Sequence, residues 1–200
     1  MADGVHGDEV QIRDLQCLIE SLGGGKPVLI GAPMGGAVSL GAVGGGHVDA
    51  RALALVDVGP VIEREVADRV RAFMEQRPDG FDTLDEVAEA IAKNVRIAPN
   101  GRDAWHWDPK RLHVARNVTQ REARLRECSR NLRLPTLLMR GGLSDVLSEA
   151  GARTFLELCP HCEHVNVGDA AHMVAGDYND VFADAAIDFL SRVEPARDSG

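Results

Sequence analysis

Three short segments of this 200-residue chain hold residues whose types and spacing suit nucleophilic or acid–base chemistry. Gly31-Ala32-Pro33-Met34-Gly35-Gly36 follows a strand-length apolar run and opens a helical stretch. Glycines at that spacing suit a tight strand-to-helix turn, which lifts the residue between them to the top of a sheet. Arg140-Gly141-Gly142-Leu143-Ser144-Asp145 puts a carboxylate just after another apolar run. Gly168-Asp169-Ala170-Ala171-His172-Met173 puts an imidazole just after a further one. A histidine oriented by an acid is a general base near neutral pH. The residue such a base would activate stands at position 33 and is a proline, which has no nucleophilic atom.

The elements that must position these segments follow from hydrophobic periodicity. Ile12, Leu15, Ile19 and Leu22 share one face of a helix over residues 8–22, which Gly23-Gly24-Gly25 stops. Segments 27–30, 52–58 and 136–139 read as apolar strands, 52–58 as a buried one, and 164–167 reads as a fourth strand. Helices are expected from Met34 to about Val43, from Ser148 as N-cap to Leu158, and from Asn179 to Val193. Continuous apolar strands separated by helices predict an α/β fold with a parallel sheet covered on both faces. Residues 61–132 interrupt this alternation. Ile62, Val66, Val70 and Phe73 give one helix, the capping box from Thr83 to Glu86 opens a second, and a third runs from about Thr119 to Leu132. A turn at Pro99-Asn100-Gly101 precedes Trp105-His106-Trp107. The expectation is a helical insertion at 61–132 in a core made of 1–60 and 133–200.

Composition narrows the function classes. Hydrophobic residues make up 44% and charged ones 26%, as in a soluble globular chain, and only 4% are aromatic, so the core is aliphatic. The formal charge of −9 argues against nucleic acid or an anionic membrane surface as a partner. No apolar run approaches the roughly 20 residues of a membrane span, and the acidic start MADGVHGDEV lacks the order of a secretory signal, so a cytoplasmic location is expected. Cys17 and Cys128 read as small buried hydrophobes. Cys159-Pro160-His161-Cys162 matches a redox spacing in letters, but it follows the end of a helix, where the dipole does not favour a thiolate. An adventitious disulfide is compatible with it; redox catalysis is not expected. Cys162 with His164 lacks a second ligand cluster, so neither a metal nor another cofactor is expected.

In the order nucleophile position, acid, histidine, the sequence resembles the α/β-hydrolase superfamily, in the branch of esterases, epoxide hydrolases and cofactor-free haloperoxidases. GAPMGGAVSLGAVGGG is similar to the elbow and its helix, RALALVDVGP to the next strand, PTLLMRGGLSDVLSE to the acid loop, and DAAHMVAGD to the histidine loop. The resemblance covers nearly the whole chain. It implies an α/β-hydrolase core with residues 61–132 as a helical cap, Asp145 orienting His172 as base, the Met34 amide as an oxyanion donor, and Trp105 and Trp107 at a pocket for a small apolar or ester-like molecule. Pro33 departs from the pattern, and neither Ser39 nor Ser144 is an obvious substitute. Asp57 reads as a loop hydrogen-bonder. A second departure is the start: the chain reads as lacking the family's first strands, with the loop that gives the other oxyanion donor. The strand at Val28–Ile30 would then be an open edge able to pair with a second copy. The resemblance therefore implies an impaired ester or epoxide hydrolase. The alternatives are a non-catalytic binding protein and a His–Asp dyad enzyme that abstracts protons.

Overall fold

The computed structural model describes residues 7–65, 68–69, 72, 95–97, 103–105, 117–168, 170 and 179–193. Helix α1 (Asp8–Ser21) is followed by β1 (Val28–Gly31), α2 (Pro33–Gly44) and β2 (Ala52–Val56). Two short strands, β3 (Val95–Ile97) and β4 (Asp103–Trp105), come next. The chain continues through α3 (Val118–Asn131), β5 (Thr136–Gly141), α4 (Glu149–Leu158), β6 (Glu163–Val167) and α5 (Asn179–Val193). Local chemistry sets several of these boundaries. Ser148 caps α4 by accepting from the Gly151 amide at 2.9 Å, as the sequence predicts, and Asn117 caps α3 by accepting from the Gln120 amide at 3.0 Å. Gly23, Gly24 and Gly25 all take positive φ, which terminates the chain's path out of α1.

Among the described residues the main sheet is parallel, in the order β1-β2-β5-β6. Side chains alternate across it, as they must in a strand. Leu53, Leu55 and Leu138 pack on one face with Leu40 of α2, Leu125 and Cys128 of α3, and Phe155 of α4. Ala52, Ala54, Val56, Leu137 and Met139 pack on the other with Phe189 of α5. β2 and β5 are buried along their whole length, which explains their unbroken apolar sequence. β1 lies at the sheet edge, and its Ile30 is half-exposed. No described helix is long and apolar enough to cross a membrane.

Four expectations need correction. The helix expected at Thr119–Leu132 does form, but as α3 it belongs to the sheet unit. It buries Leu125 and Cys128 against α2, and Asp8 of α1 accepts from its Arg121 and Arg124 at 2.9 and 2.5 Å. The compact units are accordingly 8–63 with 116–200, and 64–115 with 1–7, in place of a break at 61–132. Within the second unit, β3 and β4 form an antiparallel ladder, Val95 opposite Trp105 and Ile97 opposite Asp103; the turn expected at 99–101 lies outside the described residues. A three-residue strand is too short to show a period. The helix expected from Thr83 lies outside the described residues, as does part of the one expected at 62–73. Cys17 is exposed, because five residues on from buried Ile12 is about 140° around a helix. Leu22 lies past the end of α1 and is also exposed.

The glycines of α2 have different duties. A Cβ on Gly44 would lie 2.3 Å from the Cys128 carbonyl oxygen of α3, whereas one on Gly35 would meet open space. Gly44→Ala is therefore expected to lose about 1–3 kcal/mol of stability by overpacking. Gly35→Ala should be neutral or gain up to about 1 kcal/mol from helix propensity. Urea denaturation of the two variants against the wild-type chain checks both signs.

Candidate functional site

The carboxyl ends of parallel strands gather at one sheet edge, where open α/β sheets bind ligands. At the end of β1, Ala32 is extended (φ −91°, ψ 165°) and Pro33 is the first residue of α2. Proline suits that place, since the first helical N–H has no intrahelical partner and the ring's φ near −65° is already helical. The first helical hydrogen bond runs from the Gly36 amide to the Ala32 carbonyl, 2.9 Å. Among the described non-glycine residues only Asp57 has positive φ, so position 33 is not left-handed. The turn at Pro33 is a plain helix start.

The glycines around it still permit close approach. A Cβ on Gly31 would lie 2.5 Å from the Gly36 nitrogen, and one on Gly36 would lie 2.5 Å from Val58 Cγ1 and 2.6 Å from the Gly31 carbonyl oxygen. The demand for no side chain thus falls on Gly31 and Gly36, and not on Gly35. Met34, the second residue of α2, is half-exposed. Beside this turn α1 and α2 border a shallow groove of about 380 Å³, lined by Leu15, Ile30, Met34 and Val38 among others. Ser39 also borders it and is buried.

The acid segment is held from three directions. Arg140, buried near the end of β5, turns its guanidinium onto the loop it precedes: Nε donates to the Leu147 carbonyl (2.9 Å), Nη1 to that of Gly142 (3.3 Å) and Nη2 to that of Ser144 (3.5 Å). Ser144 is buried and donates its hydroxyl proton to Asp57 Oδ2 at 2.5 Å, while its Oγ accepts from the amides of Val146 (3.1 Å) and Leu147 (3.4 Å). Asp57 is fully buried at the end of β2, with φ of 53°, and its Oδ1 also accepts from the Gly141 amide at 3.4 Å. Asp57 is thus a loop hydrogen-bonder, as its sequence position suggests. Asp145 follows Ser144 on this braced loop and is exposed.

The third contact joins the acid segment to the one that leads toward His172. The Gly142 amide donates to the Val167 carbonyl (3.1 Å), the Leu143 amide to that of Ala170 (3.0 Å), and the Ala170 amide back to that of Val167 (3.0 Å). The backbones touch so closely that a Cβ on Gly142 would lie 1.8 Å from the Gly168 carbonyl oxygen. The residue two before Asp145 is therefore bonded to the residue two before His172. His172 and Trp107 lie outside the described residues, and Trp105 is described only as the last position of β4.

Sequence reasoning missed two features of this site. Asp57 and Ser144 are 87 residues apart, and only their parallel neighbouring strands bring them together. Arg140 sits inside an otherwise apolar strand, which is the one signal that could have marked it as a buried clamp. Among the described residues no three His, Cys, Asp or Glu side chains group to hold a metal ion.

The Asp57–Ser144 bond gives a direct prediction. Ser144→Ala removes the shortest donor to a buried carboxylate, together with the acceptor of two loop amides, and is expected to cost about 1–3 kcal/mol in urea denaturation. Ser144→Thr keeps the hydroxyl and should cost less.

No family model matches the chain, and no curated protein matches it. Solved structures do. An E-2-(acetamidomethylene)succinate hydrolase superposes with a TM-score of 0.81 at 21% identity, covering 96% of this chain and 76% of its own. An α/β hydrolase from Novosphingobium aromaticivorans DSM 12444 gives 0.66 at 20% identity, covering 94% and 75%. The enol-lactonase from Burkholderia xenovorans LB400 gives 0.63 at 18% identity, covering 93% and 74%. At these identities the likeness establishes the architecture.

Proposed function

We propose that this chain, which has the α/β-hydrolase fold, retains the acid and histidine of a hydrolytic site but has lost its attacking residue, and that it binds a small apolar or ester-like molecule without efficient hydrolysis. The observation that carries this reading is Pro33. Its ring removes any hydroxyl or thiol from position 33 and holds the backbone in an ordinary helix start. An acyl-enzyme at that position has no atom to form on. The braced Asp145 loop and its backbone ties to the segment before His172 support survival of the other half. The hydrolase and lactonase activities in the names of the similar structures support an ester-like ligand.

In this reading His172 accepts a proton and Asp145 orients its imidazole, with the Met34 amide facing a developing oxyanion. In this reading the protein works in the cytoplasm. The same loop ties favour one second reading. A His–Asp pair can abstract a proton from an acidic carbon without a covalent intermediate.

The test is turnover of a short-chain nitrophenyl ester. The wild-type chain should show no turnover that His172→Ala removes. Pro33→Ser should gain about 10²-fold over it, the scale expected when a positioned base acquires a group to activate, and lose that gain when combined with His172→Ala. Wild-type hydrolysis abolished by His172→Ala would overturn the impaired reading.

A further inference from the structure

The turn Cys159-Pro160-His161-Cys162 joins the end of α4 to the start of β6, at the sheet edge opposite to Asp145. Nothing in the hydrolytic reading uses it. The Cys162 amide donates to the Cys159 carbonyl at 3.0 Å, closing a four-residue turn with Pro160 at its second position. A turn of this kind holds its end Cα atoms within about 7 Å, a span that overlaps the roughly 4.4–6.8 Å of disulfides. Cys159 is buried, Cys162 is partly exposed, and both thiols are free.

The surroundings set the two sulfurs apart. Both ring nitrogens of His161 lie within reach of Cys159 Sγ, Nε2 at 3.7 Å and Nδ1 at 3.9 Å. Nε2 also sits 3.1 Å from the Leu134 carbonyl, which only accepts, so that nitrogen carries a proton. The neighbouring Cys162 side chain holds the Cys159 thiol below its ordinary range. Burial opposes this, and the His161 charge and the Thr136 hydroxyl assist it. Cys162, whose thiol donates to the Glu163 carbonyl at 3.2 Å, is pushed the other way by its neighbour Cys159 and by burial. One sulfur is thereby prepared to attack and the other keeps its proton, which is the division of labour a disulfide-forming pair needs.

We propose that Cys159 and Cys162 close to a reversible disulfide, making the α4–β6 turn an oxidation-responsive modification site. With hydrogen peroxide as oxidant, the Cys159 thiolate attacks one peroxide oxygen and the O–O bond breaks. The departing hydroxide takes up the thiol's proton as water. Cys162 sulfur then attacks the Cys159 sulfenic acid, the S–O bond breaks, and a second water leaves with the Cys162 proton. Two thiols thus lose two electrons and two protons, and one peroxide becomes two waters. A dithiol such as dithiothreitol returns both electrons and protons. Peroxide is close to water in size, so it can reach a thiol lying just beneath exposed His161. The position at a helix C-terminus separates this pair from thioredoxin-type catalysts, and the chain is a target of oxidation here, not an oxidoreductase.

The full-length chain is treated with hydrogen peroxide, quenched with N-ethylmaleimide and mapped by peptide mass, with exposed Cys17 as the internal reference thiol. The expected result is a Cys159–Cys162 peptide two hydrogens lighter and closed to maleimide, which dithiothreitol reopens. In Cys162→Ser the Cys159 sulfenic acid should persist and be trapped by dimedone. Maleimide on both Cys159 and Cys162 at peroxide doses that oxidise Cys17 would overturn the proposal. So would a product that dithiothreitol does not reverse.

Discussion

A proline ring at the point where β1 hands the chain to α2 constrains everything this sheet edge can do. Its fixed φ makes residue 33 the first residue of a helix, with Ala32 extended before it. Gly31 and Gly36 let strand and helix approach so closely that neither tolerates a Cβ, and Val58 closes the space beyond Gly36. The turn therefore keeps its tight packing while offering no nucleophile at its apex. The chemistry open to this edge then depends on what the neighbouring strands deliver.

β2, β5 and β6 deliver a braced scaffold. Burial of Asp57 at the end of β2 demands partners, and Ser144 and the Gly141 amide supply them from β5 and its loop. Arg140 draws three carbonyls of the same loop around one guanidinium. Exposed Asp145 thus sits on a loop fixed from beneath. The contact of Gly142 with Gly168 carries that rigidity across to β6.

Much of this was legible in the sequence. Unbroken apolar runs such as Ala52–Val56 announced buried parallel strands, and Ser148 announced the start of α4 to the residue. The mismatch of Pro33 with the elbow pattern was also plain, because proline's φ is a property of the residue and not of its surroundings. Tertiary pairing was not legible. The affinity of α3 for α2 rests on Gly44 meeting Cys128, a contact across 84 positions that no local period encodes. The β3–β4 ladder was too short to read, and the Asp57–Ser144 bond exists only because β2 and β5 are neighbours.

The central proposal is that position 33, a proline at a helix start, offers no attacking atom. Reaction with a fluorophosphonate, which phosphonylates activated serines, tests it most directly on the unaltered chain. The account predicts no adduct by intact mass under conditions that fully label an active serine hydrolase. An adduct mapped to Ser39, Ser144 or any other serine, and lost in His172→Ala, would contradict it and reveal a nucleophile supplied from another element.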